Sequence, residues 1–163
     1  MTFIRNSIAL AIVFAISGLV SSGAVPQAVA QTVASSENAE YSRLEQDNKE
    51  TIEALFAAFN AHDIDALAAL YSEKAKLISP DFAAPRTGPD GVRKTYGDLF
   101  SMFPNIRDDV QTIIVDGDRA AAEFVSYLGV NGPDGAEISV PIATFFVIED
   151  GKIVRDTTYY DVQ

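Results

Sequence analysis

The sequence of 163 residues contains no cysteine and a single histidine, His62. Without cysteine the chain has no disulfide framework and no thiol for lipid attachment. Thiolate and imidazole groups are the main protein ligands of transition metals, so the near absence of both argues against such a site. We therefore expect neither a metal nor another cofactor.

Sequence patterns that mark other kinds of site are missing too. The chain has no D-x-D-x-D-G loop for Ca²⁺ and no G-x-S-x-G turn for a serine nucleophile. Basic residues are scarce, with 12 Lys and Arg against 23 Asp and Glu and a net charge of −11. Because an acidic surface repels phosphate backbones and anionic lipids, we expect neither nucleic acid nor membrane partners.

Long apolar runs are confined to the N-terminus, where the stretch over residues 8–20 is short for a membrane span. Preceded by Arg5 and followed by Ala28-Val29-Ala30, it predicts a secretory signal peptide, residues 1–30. We expect the mature protein to be exported to the periplasm or secreted. Residues 31–42 lack apolar periodicity and are predicted to be a flexible lead-in to one domain, residues 43–163.

Apolar spacing predicts three helices in the first two-thirds of the chain. The first, from about residue 44 to 60, has an aromatic-rich face with spacings of three and four residues, formed by Ile52, Leu55, Phe56 and Phe59. Asp63 is placed to cap a second helix over residues 64–71, and His62 before it is expected to be an exposed helix-ending residue. The third helix begins at the G-P-D-G turn, residues 88–91, and ends before Pro104.

After Pro104 the pattern changes to strands. Runs rich in β-branched and aromatic residues cover 109–115, 119–130, 137–149 and 152–161, separated by Asp-Gly or Gly-rich turns. Such short connections predict an antiparallel meander of four strands, with Pro141 at a bulge or on an unpaired side. A short strand, 75–79, lies between the helices. Helices followed by strands predict an α+β fold: three N-terminal helices packed on a curved, mostly antiparallel sheet, with a pocket at its mouth.

Three segments carry a resemblance to a known superfamily. They read A-A-F-N-A-H-D-I-D-A-L-A-A-L-Y, P-R-T-G-P-D-G-V-R-K-T-Y and F-F-V-I-E-D-G-K-I-V-R-D-T-T-Y-Y-D. They resemble the nuclear transport factor 2-like superfamily, and within it the SnoaL-like polyketide cyclase and ketosteroid isomerase branches. The resemblance covers residues 48–161 and implies a cone-shaped fold and a homodimer formed through the outer sheet face. Because this fold hosts many reactions, the chemistry has to be argued from individual residues.

The catalytic positions that the resemblance implies hold other residues here. The tyrosine, base and second acid of ketosteroid isomerases correspond to Leu55, Ser79 and Ala143, or to Thr144 if a bulge shifts the register. The catalytic aspartate of SnoaL-like cyclases corresponds to Thr158. Since none of these side chains supplies the acid or base required, isomerisation by that constellation is not expected.

Asp156 is the nearest remaining acid, and strand alternation places it on the same face as Thr158 and Tyr160. Burial beside aromatic walls would raise the pKa of Asp156 toward a useful range, so it is the predicted acid–base residue if the protein is an enzyme. The predicted ligand contacts are three tyrosines, a threonine and two charged loop residues, namely Tyr96, Tyr127, Tyr160, Thr158, Asp81 and Arg86.

Three functions remain open at this point. The favoured one is an exported SnoaL-like domain that binds a small apolar or semi-polar molecule in its cavity, without the usual catalytic residues. The second is an isomerase, cyclase or hydrolase-like enzyme that uses Asp156. The third is a protein-interaction module, which a cavity filled by Phe56, Phe59 and Phe124 would favour.

Overall fold

The computed structural model describes residues 27–133 and 135–161. Within them the elements are α1 (Gln27–Asn60), α2 (Ile64–Ala69), β1 (Tyr71–Ile78), β2 (Arg86–Thr87), α3 (Gly88–Met102), β3 (Arg107–Asp116), β4 (Arg119–Asn131), β5 (Glu137–Glu149) and β6 (Lys152–Tyr160). The contacts divide the chain into a unit of residues 1–37 and a unit of residues 38–163. In the first unit the described residues form the opening turns of α1. The α+β class is confirmed in the second.

Helix α1 begins much earlier than predicted, at Gln27, so residues 31–42 are helical, and the predicted flexibility of this lead-in stays a prediction. Residues 34–44 are exposed, which explains the missing apolar periodicity, and their Ala and Glu content favours helix. Residues 1–26 of the predicted signal peptide lie outside the described residues, so cleavage and export stay predictions. None of the described helices has the length and apolar content that crossing a membrane requires.

A sharp corner joins α1 to α2. His62 takes a positive φ of 53°, and the Asp63 carboxylate accepts a hydrogen bond from the Ala66 N–H at 2.9 Å. The helix-ending role of His62 is therefore confirmed, but its predicted exposure is wrong. Its ring stacks on Phe100 at 4.1 Å between centroids, and Nε2 donates to the Ile106 carbonyl at 2.8 Å. Helix α3, which carries Phe100, covers the corner in a way that local sequence does not reveal.

The six strands form one mixed sheet in the order β2-β1-β6-β5-β4-β3. The predicted meander from β3 to β6 is confirmed, and β1 adds to it in parallel with β6. Strand β1 is longer than predicted because α2 ends at Ala69. Pro141 lies one residue before the first β5–β6 pair, so its missing N–H interrupts no bond to β6. Register shifts between several neighbouring strands bend the sheet.

The core lies between the helices and one face of this sheet. Alternation along β4 sends a set of residues to that face as predicted, namely Ala120, Ala122, Phe124, Ser126 and Leu128. Phe56 of α1 meets Phe124 edge to face at 4.9 Å, and Phe59 meets Phe100 of α3 at 5.2 Å. These contacts hold α1 and α3 against the sheet, and the space that they leave open is the cavity described next.

Candidate functional site

A cavity of about 600 Å³ lies between the helices and the sheet. Its walls are mostly apolar, with aromatic side chains from α1, α3 and β4 that include Phe56, Phe59, Tyr96 and Phe124. The three phenylalanines surround the space without filling it. A filled cavity would have favoured the interaction module, and this cavity is open. Sites for small ligands typically measure roughly 300–1,000 Å³ and are lined in this way.

Asp156 lies on the cavity wall, on strand β6, with an exposed fraction of 5%. Tyr71 Oη donates to its Oδ2 at 2.7 Å, and Thr158 Oγ1 donates to its Oδ1 at 3.3 Å. Burial raises the pKa of Asp156 to about 6, while both hydrogen bonds oppose that rise. A carboxyl with such a pKa can take up and return a proton near neutral pH. Asp156 therefore has the environment that its predicted role requires, and the role itself stays a prediction.

Tyr71 is a member of this network that sequence reasoning missed, because the pattern assigned it to the end of α2. It is instead the first residue of β1, is 3% exposed and hydrogen-bonds Asp156. Tyr96 of α3 interacts with the Tyr71 phenol. Burial first, and then the nearby Asp156 carboxyl, raises the pKa of both tyrosines, so both phenols remain hydrogen-bond donors. Strand alternation from 75–79 does not lead to Tyr71, because Glu73 is exposed and a register shift lies between Tyr71 and Lys76.

Asp108 is a second buried carboxyl in the cavity wall, and the sequence analysis missed it as well. It is the second residue of β3 and is 9% exposed. Burial raises the pKa of Asp108 to about 7, opposed by a hydrogen bond from the Ser126 hydroxyl. Its Oδ1 accepts no hydrogen bond from the part of the chain that the structure describes. The signal that could have found it is the register: Asp108 pairs with Ser126, which was predicted to face inward.

The side chain of Asn60, the last residue of α1, holds the backbone of Asp108 in place. Asn60 Nδ2 donates to the Asp108 carbonyl at 2.9 Å, and Asn60 Oδ1 accepts from the Asp108 N–H at 2.8 Å. Both bonds join the end of a helix to the start of an edge strand, where neither backbone group has a ladder partner on that side. The backbone of Asp108 is therefore fixed relative to the end of α1.

The positions that the resemblance singled out surround the same space. Leu55, Ser79 and Thr158 line the cavity. Of the two alternatives on β5, Thr144 lines it, because a register shift lies between Val147 and Ile148. Thr144 and Thr158 pair through their hydroxyls at 3.0 Å. Hydroxyl and apolar groups thus stand at these positions, and the acids of this cavity stand elsewhere.

Three predicted contacts meet at the exposed end of the cavity. Tyr160 Oη donates to the Asp81 carboxylate, and Arg86 stacks over the Phe82 ring at 4.2 Å. Burial, and then the bond to Asp81, raises the pKa of Tyr160. Arg86 also donates to Thr95 Oγ1 at 2.9 Å, which anchors the loop to α3. Asp81, Arg86 and Tyr160 all line the cavity, and their role as ligand contacts stays a prediction.

Tyr127 does not belong to this group, and its prediction as a ligand contact needs correction. It alternates with Ser126 and Leu128 on β4, so it points to the opposite face of the sheet. There the Arg107 guanidinium lies 4.3 Å from the centre of its ring. Among the described residues, no cluster of three or more His, Asp or Glu side chains is arranged to hold a metal ion.

Comparisons with known proteins agree with this architecture. A family model described as a SnoaL-like domain matches residues 52–156. A Jannaschia protein assigned as a SnoaL-like polyketide cyclase has a TM-score of 0.62 and 23% identity, over 72% of this chain and 88% of that one. A Catenulispora acidiphila protein with a ketosteroid isomerase-like fold, solved in complex with trimethylamine, has a TM-score of 0.61 and 21% identity, over 69% and 86%.

A nuclear transport factor 2-like protein of Burkholderia pseudomallei has a TM-score of 0.62 and 17% identity, over 71% of this chain and 91% of that one. At these identities the likeness shows the fold, and the expected nuclear transport factor 2-like fold is confirmed. No curated protein sequence matches the chain.

Proposed function

This chain belongs to the SnoaL-like domain family, and from that premise we propose that it binds a small, mainly apolar molecule in the cavity between helices and sheet. The observation that carries the proposal is the cavity itself, about 600 Å³ in volume, with a mostly apolar surface rich in aromatic side chains. The polar residues Asp81, Arg86 and Tyr160 at one end of the cavity support it further.

We also propose that the protein is exported after cleavage of residues 1–30. N-terminal sequencing of the secreted protein should then give Gln31 as the first residue.

A pair of neighbouring substitutions on β5 tests where the molecule binds. Val140 lines the cavity, whereas Ser139 is exposed and lies on the other face. With Nile red as a neutral apolar probe, we expect Val140→Trp to weaken binding at least about ten-fold by occupying the space. Ser139→Trp should leave the affinity within about two-fold. Equal affinity of the wild type and a folded Val140→Trp variant would remove the cavity as the binding site.

Acid–base turnover of the bound molecule by Asp156 is the second candidate function. The specific support is the network in which Tyr71 and Thr158 donate to a buried carboxyl whose pKa is about 6. Mass spectrometry of the native protein from its host would identify a co-purifying molecule to assay. With a substrate so found, Asp156→Asn should lower turnover by about 10²–10⁴-fold, whereas the exposed turn variant Asp150→Asn should not.

We also propose a homodimer formed through the outer sheet face. Phe145 and Tyr159 are exposed on that face, at 54% and 57%, and their rings pair edge to face at 6.0 Å. Exposed aromatic pairs of this kind are common in protein interfaces. Phe145→Glu should therefore shift the protein from dimer to monomer in analytical ultracentrifugation, whereas Leu44→Glu on α1 should not. A monomeric wild type would contradict this part of the proposal.

A further inference from the structure

The charged groups around the cavity are unbalanced. In the described part of the chain, the carboxyls of Asp81, Asp98, Asp108 and Asp156 line it together with the single guanidinium of Arg86. Arg86 already faces Asp98 at 3.9 Å. The net charge of the whole chain, −11, adds to the negative potential of this space. A cationic ligand gains from that field and an anionic ligand is repelled.

Most of these carboxyls already have hydrogen-bond donors within the protein. Tyr160 donates to Asp81, Lys94 donates to Asp98 at 2.9 Å, and Asp156 receives two donors. Asp108 differs, since its Oδ1 accepts no hydrogen bond from any residue that the structure describes. A buried acceptor without a donor is costly, so this site gains when a ligand supplies the donor.

The geometry around Asp108 suits an outside donor. Asn60 fixes the backbone of Asp108 on both sides but leaves its side-chain torsions unrestricted, so a rotation of the side chain can bring the buried Oδ1 to a donor in the cavity. Ser126 beside it supplies one hydrogen bond, and the Phe56 and Phe124 rings line the same cavity. Aromatic faces attract cations, particularly where water is excluded. Burial raises the pKa of Asp108, as expected of a carboxyl that lacks a counter-charge, and an ammonium group would supply that charge.

We infer that Asp108 anchors the ligand and that the cavity takes a lipophilic amine, whose ammonium group donates to the Asp108 carboxyl while its apolar body contacts the aromatic walls. This inference rests on the proposed function, because it names the ligand class of the same cavity. An ammonium is preferred over a hydroxyl of the same shape because a charge-assisted hydrogen bond is about twice as strong as a neutral one.

A matched pair of probes tests the ligand class. Naphthylmethylamine and naphthalenemethanol have the same ring system and differ in the charge of the donor. Both are titrated into wild-type protein at about pH 8, where the amine is protonated and the Asp108 carboxyl is mostly ionised. Displacement of Nile red should show the amine binding about ten-fold more tightly than the alcohol. Equal affinities, or tighter binding of the alcohol, overturn the inference without any variant.

Two neighbouring substitutions then assign the preference to one carboxyl. Asp108→Asn should reduce the amine to the affinity of the alcohol, whereas Asp109→Asn, an exposed residue beside it, should keep the preference. A preference that survives in a folded Asp108→Asn variant overturns the assignment to Asp108. If Nile red responds to Val140→Trp but neither naphthyl probe displaces it, the ligand class is wrong and cavity binding stands. If Nile red ignores Val140→Trp, the proposed function itself fails.

Discussion

The two sides of the cavity differ in how many hydrogen-bond donors reach their buried carboxyls. On β6, the Asp156 carboxyl accepts hydrogen bonds from the hydroxyls of Tyr71 at 2.7 Å and Thr158 at 3.3 Å. On β3, the Asp108 carboxyl accepts a hydrogen bond from the Ser126 hydroxyl, and its Oδ1 has no donor among the described residues. Burial is the main cause of the raised pKa at both, to about 6 for Asp156 and about 7 for Asp108. Asp156 thus has a donor at each of its two oxygens, whereas Asp108 has one oxygen without a donor among the described residues.

The largest expected effect is a loss of stability as pH rises, which follows from the raised pKa that Asp108 and Asp156 share. Both have folded-state pKa values above the ordinary value of 3.8. Their stabilising contribution is therefore fully present below about pH 4 and is lost as pH rises through 6 and 7, by up to about 4 kcal/mol for Asp108 and about 3 kcal/mol for Asp156. The free energy of unfolding from urea titrations should fall over that range.

The control for this pH dependence is the double variant Asp108→Asn/Asp156→Asn. General repulsion among the acidic surface groups also grows with pH, and the double variant retains that repulsion. We therefore expect its stability to change much less between about pH 5 and about pH 8 than that of the wild type. An unchanged pH dependence in the double variant would assign the whole effect to the surface.

A smaller effect should separate the two carboxyls by its sign. At about pH 8, Asp108→Asn removes a buried charge that has one donor, and we expect it to stabilise the fold by about 1–2 kcal/mol. Asp156→Asn also removes a buried charge, but it places an amide N–H₂ among the hydroxyl donors of Tyr71 and Thr158. The loss of these two hydrogen bonds to a charged group should outweigh that gain, for a net destabilisation of about 1–2 kcal/mol. Chemical denaturation measures both. The same sign for the two variants would remove the distinction drawn here.

The smallest effect concerns the individual donors. Tyr71→Phe removes the donor at 2.7 Å from Asp156, so the pKa of Asp156 should rise and stability should fall by about 1 kcal/mol. Ser126→Ala should likewise raise the pKa of Asp108. Carbon NMR titration of the side-chain carboxyls reports each pKa directly. A rise at the wrong carboxyl in either variant would contradict the partner assignment.

Local sequence patterns sufficed for much of the fold. Helical spacing located the packed half of α1, and Asp-Gly turns located the meander, because both signals act between neighbours in the chain. Strand alternation placed Asp156, Thr158 and Tyr160 on the cavity face, since all three lie on one strand. The same alternation already separated Tyr127 from Ser126, so its inclusion as a ligand contact went against the pattern.

Groups whose position depends on distant pairing were missed. Asp108 reaches the cavity only through the register of β3 with β4 and through the clamp from Asn60. Tyr71 reaches Asp156 because β1 lies parallel to β6, a pairing for which the intervening sequence gives no local signal. The helical state of residues 31–42 was missed because periodicity records packing, and these residues are mostly exposed.

The parallel pairing of β1 with β6 also bears on when this contact can form during folding. Tyr71 and Asp156 are 85 positions apart along the chain. Contacts between such distant segments form late, after the intervening loop has been closed. A polypeptide that lacks β6 would hold the Tyr71 phenol without the Asp156 carboxyl, so this buried hydrogen bond can form only once β6 is present.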